Sequence, residues 1–321
     1  MASNQPLPTD DSTRLSREFD ADFAPGEDYT HELPDTQNLK SAEIPGTPVA
    51  IQEVGSSNFR LPMRFQNADG TEIQLEVSVF GGVSLDANRK GINMSRIIRI
   101  FYEHRNQILN FGLIRKVLEN YREKLDAESA RLQVRFSLPL AQKSLRSGLD
   151  GFQYYDTVLE GRMSSGGEYT RMMQIGFVYS SACPCSSDLA DHAEETRQRY
   201  AIPHSQRSRA QVKVVPISDE SVTIEGLVAL CRDALATETQ SMVRRVDEQA
   251  FAELNGAYQK FVEDAVRLLY SQIDAHPGIE KFAVSCSHLE SLHSHDAVAS
   301  IAKGLPTGLS GAIENYNDLI C

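Results

Sequence analysis

Apolar residues in this chain repeat at two alternating periods, and the order of those periods restricts the folds open to it. In residues 72–80, EIQLEVSVF, the side chains of Ile73, Leu75, Val77 and Val79 share one face at a period of two. LPMRF at 61–65 alternates in the same way, with Asn67, Ala68, Asp69 and Gly70 between the two runs, which predicts a β-hairpin. Helical spacing follows, with Ile97, Ile98, Phe101 and Tyr102 in 95–106, then Leu113, Val117, Leu118, Tyr121 and Leu125 in 113–128. Leu132, Val134, Phe136 and Leu138 return to the period of two, and residues 152–163 read as a further strand closed by SSGG at 164–167.

The same order then recurs. Residues 169–179 and 211–215 read as strands, and 222–245 as a helix broken near Thr237 and continued by 247–254. Residues 259–273 form an amphipathic helical pattern with Phe261, Val262, Ala265, Leu268 and Leu269 on one face. Residues 281–287 read as a strand, and 297–302 fit a short strand or a helix. The expectation is an α+β chain of two ββααββ modules, 46–165 and 166–321, behind a mobile N-terminal arm over 1–45. Each module is expected to be a four-stranded antiparallel sheet with its helices on one face. Free edges on such sheets favour a homo-oligomer.

Charge and cysteine usage exclude several classes. A net charge of -12 over 321 residues argues against a general nucleic-acid binder, which needs a basic face. No run approaches the roughly 18 apolar residues of a membrane span. The opening MASNQPLPTDDSTRL has no apolar signal-peptide core. Neither nucleic acid nor membrane is therefore expected as a partner. An odd count of five cysteines without a secretion signal points to reduced thiols and a cytoplasmic location. Cys231 and Cys286 read as core residues, and Cys321 as part of a frayed end.

The stretch from Ser180 to Arg209 carries the chemistry. Cys183 and Cys185 flank Pro184 after one strand-like run, and His204 stands near the entry to the next, across what reads as a polar loop. The spacing is not C-x-x-C, and with no second cysteine pair a four-cysteine zinc site is excluded. A mixed site remains, in which a thiolate, an imidazole and a carboxylate suit zinc, iron(II) or manganese with one position open to water. His204, His288, His293 and His295 lie in polar clusters beside strands, whereas His31, His104 and His192 read as solvated and His276 as a turn residue. Glu248 lies at a helix junction. Glu263 lies beside an apolar stripe, where partial burial would let its carboxylate accept two N–H bonds from a purine edge.

Several motifs together resemble the type IB GTP cyclohydrolase family. They are LPDTQ at 33–37, LPMRF at 61–65, KGINMSR at 90–96, CPCS at 183–186, HSQRS at 204–208, VDE at 246–248, FVEDAVR at 261–267 and ESLHSHDA at 290–297. The resemblance implies the tunnelling fold, in which ββααββ modules assemble side by side into barrels, and a homotetramer with two modules per chain. It implies a divalent metal (zinc, manganese or iron) and conversion of GTP to 7,8-dihydroneopterin triphosphate and formate, which feeds folate and 7-deazaguanosine synthesis. On matching positions it makes Cys183, His204 and Glu248 metal ligands, with Glu290 a further candidate, while leaving open which of Cys183 and Cys185 ligates. Cys185 would face the reacting part of the substrate, His293 would transfer protons and Glu263 would anchor guanine. Lys90, Arg96 and Arg207 are the cations chosen for the triphosphate. Two departures stand out: residues 188–203 read as an insertion, and Asn93 stands where the family usually has histidine. Two other readings stay open: a related purine or pterin enzyme (a nitrile reductase or a cyclic-phosphate-forming cyclohydrolase), and a non-catalytic binding protein with structural thiols.

Overall fold

Leu61, Met63 and Phe65 alternate against Leu75, Val77 and Val79, and their burial fixes the register of the first hairpin. In the computed structural model, which describes residues 19–34 and 44–304, that hairpin is β1 (Ile51–Gln66) and β2 (Glu72–Leu85). A short α1 (Glu27–Glu32) precedes it. The chain continues through α2 (Met94–Tyr102), α3 (Phe111–Leu125), β3 (Ala130–Lys143), β4 (Asp150–Met163), β5 (Tyr169–Ala182), α4 (Pro184–Arg197) and β6 (Ser205–Pro216). It closes with α5 (Ile224–Leu235), α6 (Arg245–Ala257), α7 (Val262–Asp274), β7 (Ile279–His288) and β8 (Ala297–Lys303). Residues 1–18 and 35–43 of the expected arm lie outside the described residues, as does Cys321.

The helices start where short polar side chains offer themselves as caps. Asn110 accepts from the Leu113 N–H at 2.8 Å ahead of α3, and Thr223 from the Gly226 N–H at 3.0 Å ahead of α5. Asn93 caps α2, accepting from the Arg96 N–H at 3.2 Å, so the residue that departs from the motif has a local role in starting a helix. α3 packs on β3 and β4, α5 on β5, and α7 on β7, β8 and α5. One apolar layer runs from Val77 through Val134, Ile175 and Val212 to Val284, all buried. Gly161 lets α3 lie close on β4, since a Cβ there would fall 2.4 Å from Ile114 Cγ2. Cys231 and Cys286 are buried in this layer, as expected of core thiols.

The expectation of two separate four-stranded sheets is corrected. All eight strands form one antiparallel sheet in the order β1 to β8, because β4 and β5 pair from Thr157↔Ile175 to Met163↔Tyr169. The SSGG run taken as a module boundary is the turn of that hairpin, with Gly167 at φ +82°. The α+β class stands, but not the paired sheets of a tunnelling-fold barrel. The ambiguous 297–302 segment is the edge strand β8. The polar stretch after Cys185, read as a loop, is helix α4, which buries none of its residues. His104, read as solvated, is 5% exposed and lies between the Gln107 and Asn120 side chains. Among the described residues no helix is long and apolar enough to cross a membrane.

Asp247 locks the tip of the β3–β4 hairpin to α6. Its fully buried carboxylate accepts from the N–H groups of Arg146, Ser147 and Arg244 at 2.8, 2.9 and 2.8 Å, and from the Ser147 hydroxyl. Burial works to raise its pKa, but the Ser147 hydroxyl and the three N–H groups outweigh it and hold the carboxyl well below the usual range. A depressed carboxyl contributes stability that is present above its unfolded pKa of about 4 and lost as pH falls toward its folded value. Asp247→Asn is expected to unfold at lower urea concentration at neutral pH and to lose less stability on acidification below about pH 4. Urea melts across that range test this, and a variant matching the parent at neutral pH would contradict it.

Candidate active site

One end of the sheet collects most of the expected residues. β5 stops there at Ala182, Cys183 is the N-cap of α4, and Cys185 lies in the first turn of that helix. The Cys183 N–H donates to the His204 carbonyl at 3.2 Å, and the His204 N–H donates to Ser186 Oγ at 3.1 Å. These bonds make Cys183 and His204 neighbours across the last rungs of β5 and β6. Both are half-buried, whereas Cys185 is exposed. β7 ends on the same side, with His288 opposite Ser208, and the turn that leaves it carries Glu290, His293 and His295. Glu290 stands 3.8 Å from His293, whose ring stacks on His295 with centroids 4.7 Å apart.

α7 begins at this end too, because the Lys260 N–H donates to the Ala182 carbonyl at 3.2 Å. Its buried stripe is Val262, Ala265, Val266, Leu269 and Ile273. That stripe is rotated from the expected one, so Glu263 is exposed in the first turn rather than partly buried. Glu248, on α6, lines a cleft of about 670 Å³ with Arg207, Val178, Gln153 and Phe251. Exposed Arg207 alternates with buried Gln206 and Ser208 along β6, so this cleft opens on the face opposite the His204, Gln206 and Ser208 row. Lys90 and Arg96 are not brought to this end. They follow β2, and the Arg96 guanidinium donates to the Lys124 carbonyl of α3.

The donor set for a metal is met in part. Cys183 and His204 are neighbours through their backbones, and a thiol with an imidazole is a pairing suited to a borderline divalent ion. Neither Glu248 nor Glu290 joins them, and no group of three His, Cys, Asp or Glu that could hold an ion occurs among the described residues.

Sequence reasoning missed the polar network beneath the pair. His204 Nδ1 lies 3.0 Å from Gln206 Oε1, Gln206 Nε2 donates to Ser181 Oγ at 2.5 Å, and Ser181 Oγ lies 2.8 Å from Ser208 Oγ. Alternation within HSQRS was the available signal for Gln206. Lys260 is 3% exposed, and its ammonium donates to Thr237 Oγ1 at 3.1 Å and to the Tyr258 carbonyl. Burial pushes its pKa down to about 8. A lysine ahead of an amphipathic helix carries no sequence signal of burial. His288 is 1% exposed, with Nε2 2.9 Å from the Tyr179 hydroxyl. Burial first, and the nearby Lys260 charge second, push its pKa down to about 4.

A thiol with an imidazole, an imidazole with a carboxylate, and a cleft behind them make this sheet end a candidate site for a small molecule. The family model described as type I GTP cyclohydrolase folE2 matches residues 33–299, and the chain belongs to that family. The folE2 name replaces the type IB label expected from the motifs. GTP cyclohydrolase FolE2 of Paracoccus denitrificans is 51% identical over 290 residues, covering 90% of each chain. The Ruegeria pomeroyi protein of the same name is 51% identical over 291 residues, covering 90% of this chain and 79% of its own. Among solved structures, a hyper-thermostable AgUricase mutant superposes with TM-score 0.51 at 11% identity, over 81% of this chain and 94% of that one. A uricase from Bacillus fastidious does so with TM-score 0.51 at 8% identity, over 79% and 93%. At such identities the likeness is one of fold alone. It corrects the tunnelling-fold expectation together with the continuous sheet: both of these structures of like fold are uricases.

The lowered pKa of His288 has a definite sign in stability. Between about pH 4 and 6.5 the unfolded chain binds a proton that the folded chain refuses, so stability falls as pH drops through that window. The contribution is on the order of 3 kcal/mol at most. Chemical denaturation at about pH 7 and about pH 4.5 is expected to show a smaller acid-induced loss in His288→Gln than in the parent. Equal losses would contradict the assignment.

Proposed function

We propose that the chain converts GTP and water to 7,8-dihydroneopterin triphosphate and formate, the entry step of folate synthesis. The observation that carries this reading is the 51% identity over 290 residues to a GTP cyclohydrolase FolE2, covering 90% of both chains. The sheet end described above supports it by carrying thiol, imidazole and carboxylate groups of the kind such a reaction uses.

The remaining roles belong to the proposal. Cys183 and His204 supply two ligands of a divalent ion (zinc, manganese or iron), with Glu248 and Glu290 as candidates for the set the chain leaves incomplete. When bound, such an ion supplies Lewis acidity that makes water a better nucleophile near neutral pH. Glu263, exposed at the start of α7, accepts two N–H bonds from the guanine edge. Water adds at guanine C8 and the imidazole ring opens. Hydrolysis of the resulting formamide releases formate, and the opened sugar rearranges and closes on the pyrimidine amine with loss of water. Cys185 faces the reacting carbon, and His293, held near Glu290, moves the protons that ring opening requires. Arg207 at the cleft is the phosphate cation best placed for this site; Lys90 and Arg96 require a second chain to reach it. A homotetramer in the cytoplasm completes the reading, and β1 and β8, the edge strands among the described residues, are where chains could associate.

Metal-reconstituted protein incubated with GTP is expected to release formate and to yield a fluorescent pterin after oxidation. Cys183→Ala and His204→Ala are each expected to lower turnover by at least about a hundredfold. Turnover at the parental rate in both variants would overturn the assignment of these residues, and absence of pterin from the folded, metal-loaded parent would overturn the reaction itself.

A further inference from the structure

Helices cover one face of the sheet, and the other face carries a second cleft of about 520 Å³. Alternation sends Val77, Val134, Ile175 and Val212 under the helices and turns their strand neighbours the other way. Three of those outward residues are arginines from three strands, Arg60 on β1, Arg135 on β3 and Arg209 on β6, and all three line the cleft. Register sets Arg60 opposite Ser78 and Ser78 opposite Arg135, so the first two arginines flank one serine with their backbones about 10 Å apart. Arg209 starts further off, and Gly176 lets it come in. Its guanidinium crosses β5 to donate to Asp156 Oδ2 on β4 at 2.9 Å, and a Cβ on Gly176 would fall 3.0 Å from its Nη2. The Arg209 side chain is 20% exposed, so it is laid against the sheet.

Arg60 pairs with Glu76 at 3.1 Å, and both are exposed. Among the described residues the exposed Arg135 side chain has no ion pair or hydrogen bond. Three guanidinium groups against the carboxylates of Glu76 and Asp156 leave the cleft positive in a chain of net charge -12. Ser78, Gln174 and Gln211 add neutral donors, while Phe136 in the lining is buried, so little apolar surface is offered to a nucleobase. We propose that this cleft is a binding site for inorganic phosphate, held by the Arg135 and Arg209 guanidinium groups with Arg60 at its rim. Guanidinium forks match phosphate oxygens two at a time. Exposed carboxylates hold their arginines weakly, so a phosphate can share Arg60 and Arg209 with Glu76 and Asp156 at small cost. The site shares no lining residue with the cleft beside Glu248, whose arginine is Arg207, and it does not depend on the cyclohydrolase reading.

Calorimetric titration of inorganic phosphate into the full-length chain at low salt tests this. The parent is expected to show one saturable site. Arg135→Gln should weaken it at least about tenfold, the loss expected of a charge-assisted bond. Gly176→Ala keeps every charge but crowds the Arg209 guanidinium, and should weaken phosphate severalfold. Should Gly176→Ala fail to fold, Arg209→Gln takes its place with the same expected direction. Lys143→Gln removes one positive charge further along β3, outside the cleft, and should bind as the parent does. No saturable binding, parental affinity in either folded cleft variant, or an equal loss in Lys143→Gln overturns the proposal. Phosphate should bind as tightly with GTP in excess; displacement by GTP would assign the cleft to a nucleotide's phosphates and overturn it as well.

Discussion

The last rungs of the ladder between β5 and β6 hold together the end of the sheet that carries the candidate site. Register there runs through Ser180↔Arg207 and Ser181↔Gln206 to Ala182↔Ser205, and the Cys183–His204 bond continues it past the strand ends. Because successive side chains alternate between faces, this register sends Ser181, Gln206 and Ser208 into the protein and Arg207 out to the cleft. A slip of one residue would exchange those sets, burying a guanidinium and exposing the polar anchor of His204. The core beneath resists such a slip: Phe177, Tyr179, Ala210 and Val212 on the same two strands are fully buried.

Polar groups buried near this end are each tied to a neighbouring element. Glu238, 4% exposed, accepts from the Tyr155 hydroxyl and from Arg232 Nε, joining the segment after α5 to β4. Thr237 donates its hydroxyl to the Ser180 carbonyl and receives the Lys260 ammonium, so β5, the α5–α6 connection and the start of α7 meet at one threonine. Asp247 does the same for the β3–β4 tip and α6. Leaving any of these groups without its partner would cost more than the bond itself contributes, since a buried unpaired polar group keeps its desolvation penalty. This end of the sheet is thereby tied together at several buried polar positions.

Much of the fold could be read from periodicity, because burial on one face of each element imposes it. The core cysteines were also legible as residue types. Sheet continuity was not: whether β4 pairs with β5 depends on the twist and reach of strands already placed, and a glycine-rich turn serves a hairpin and a boundary equally well. α4 escaped because it buries nothing and so carries no apolar stripe. At the site, Cys183 and His204 were visible as residue types at strand ends and lie together. Glu263 misled because its neighbours' apolar character said nothing about which way the helix would turn. Gln206 had only the alternation of HSQRS as a signal, and Lys260 had none, because burial of a polar side chain is not announced by its type.

α4 stands apart from the rest of the chain. Its two ends are pinned, by the His204 N–H on Ser186 and the Gln259 amide on Ser187 at one side and by the return into β6 at the other, while its body adds nothing to the apolar layer. A segment moored at its ends and indifferent in its middle can lengthen, shorten or change composition over generations at almost no cost to folding.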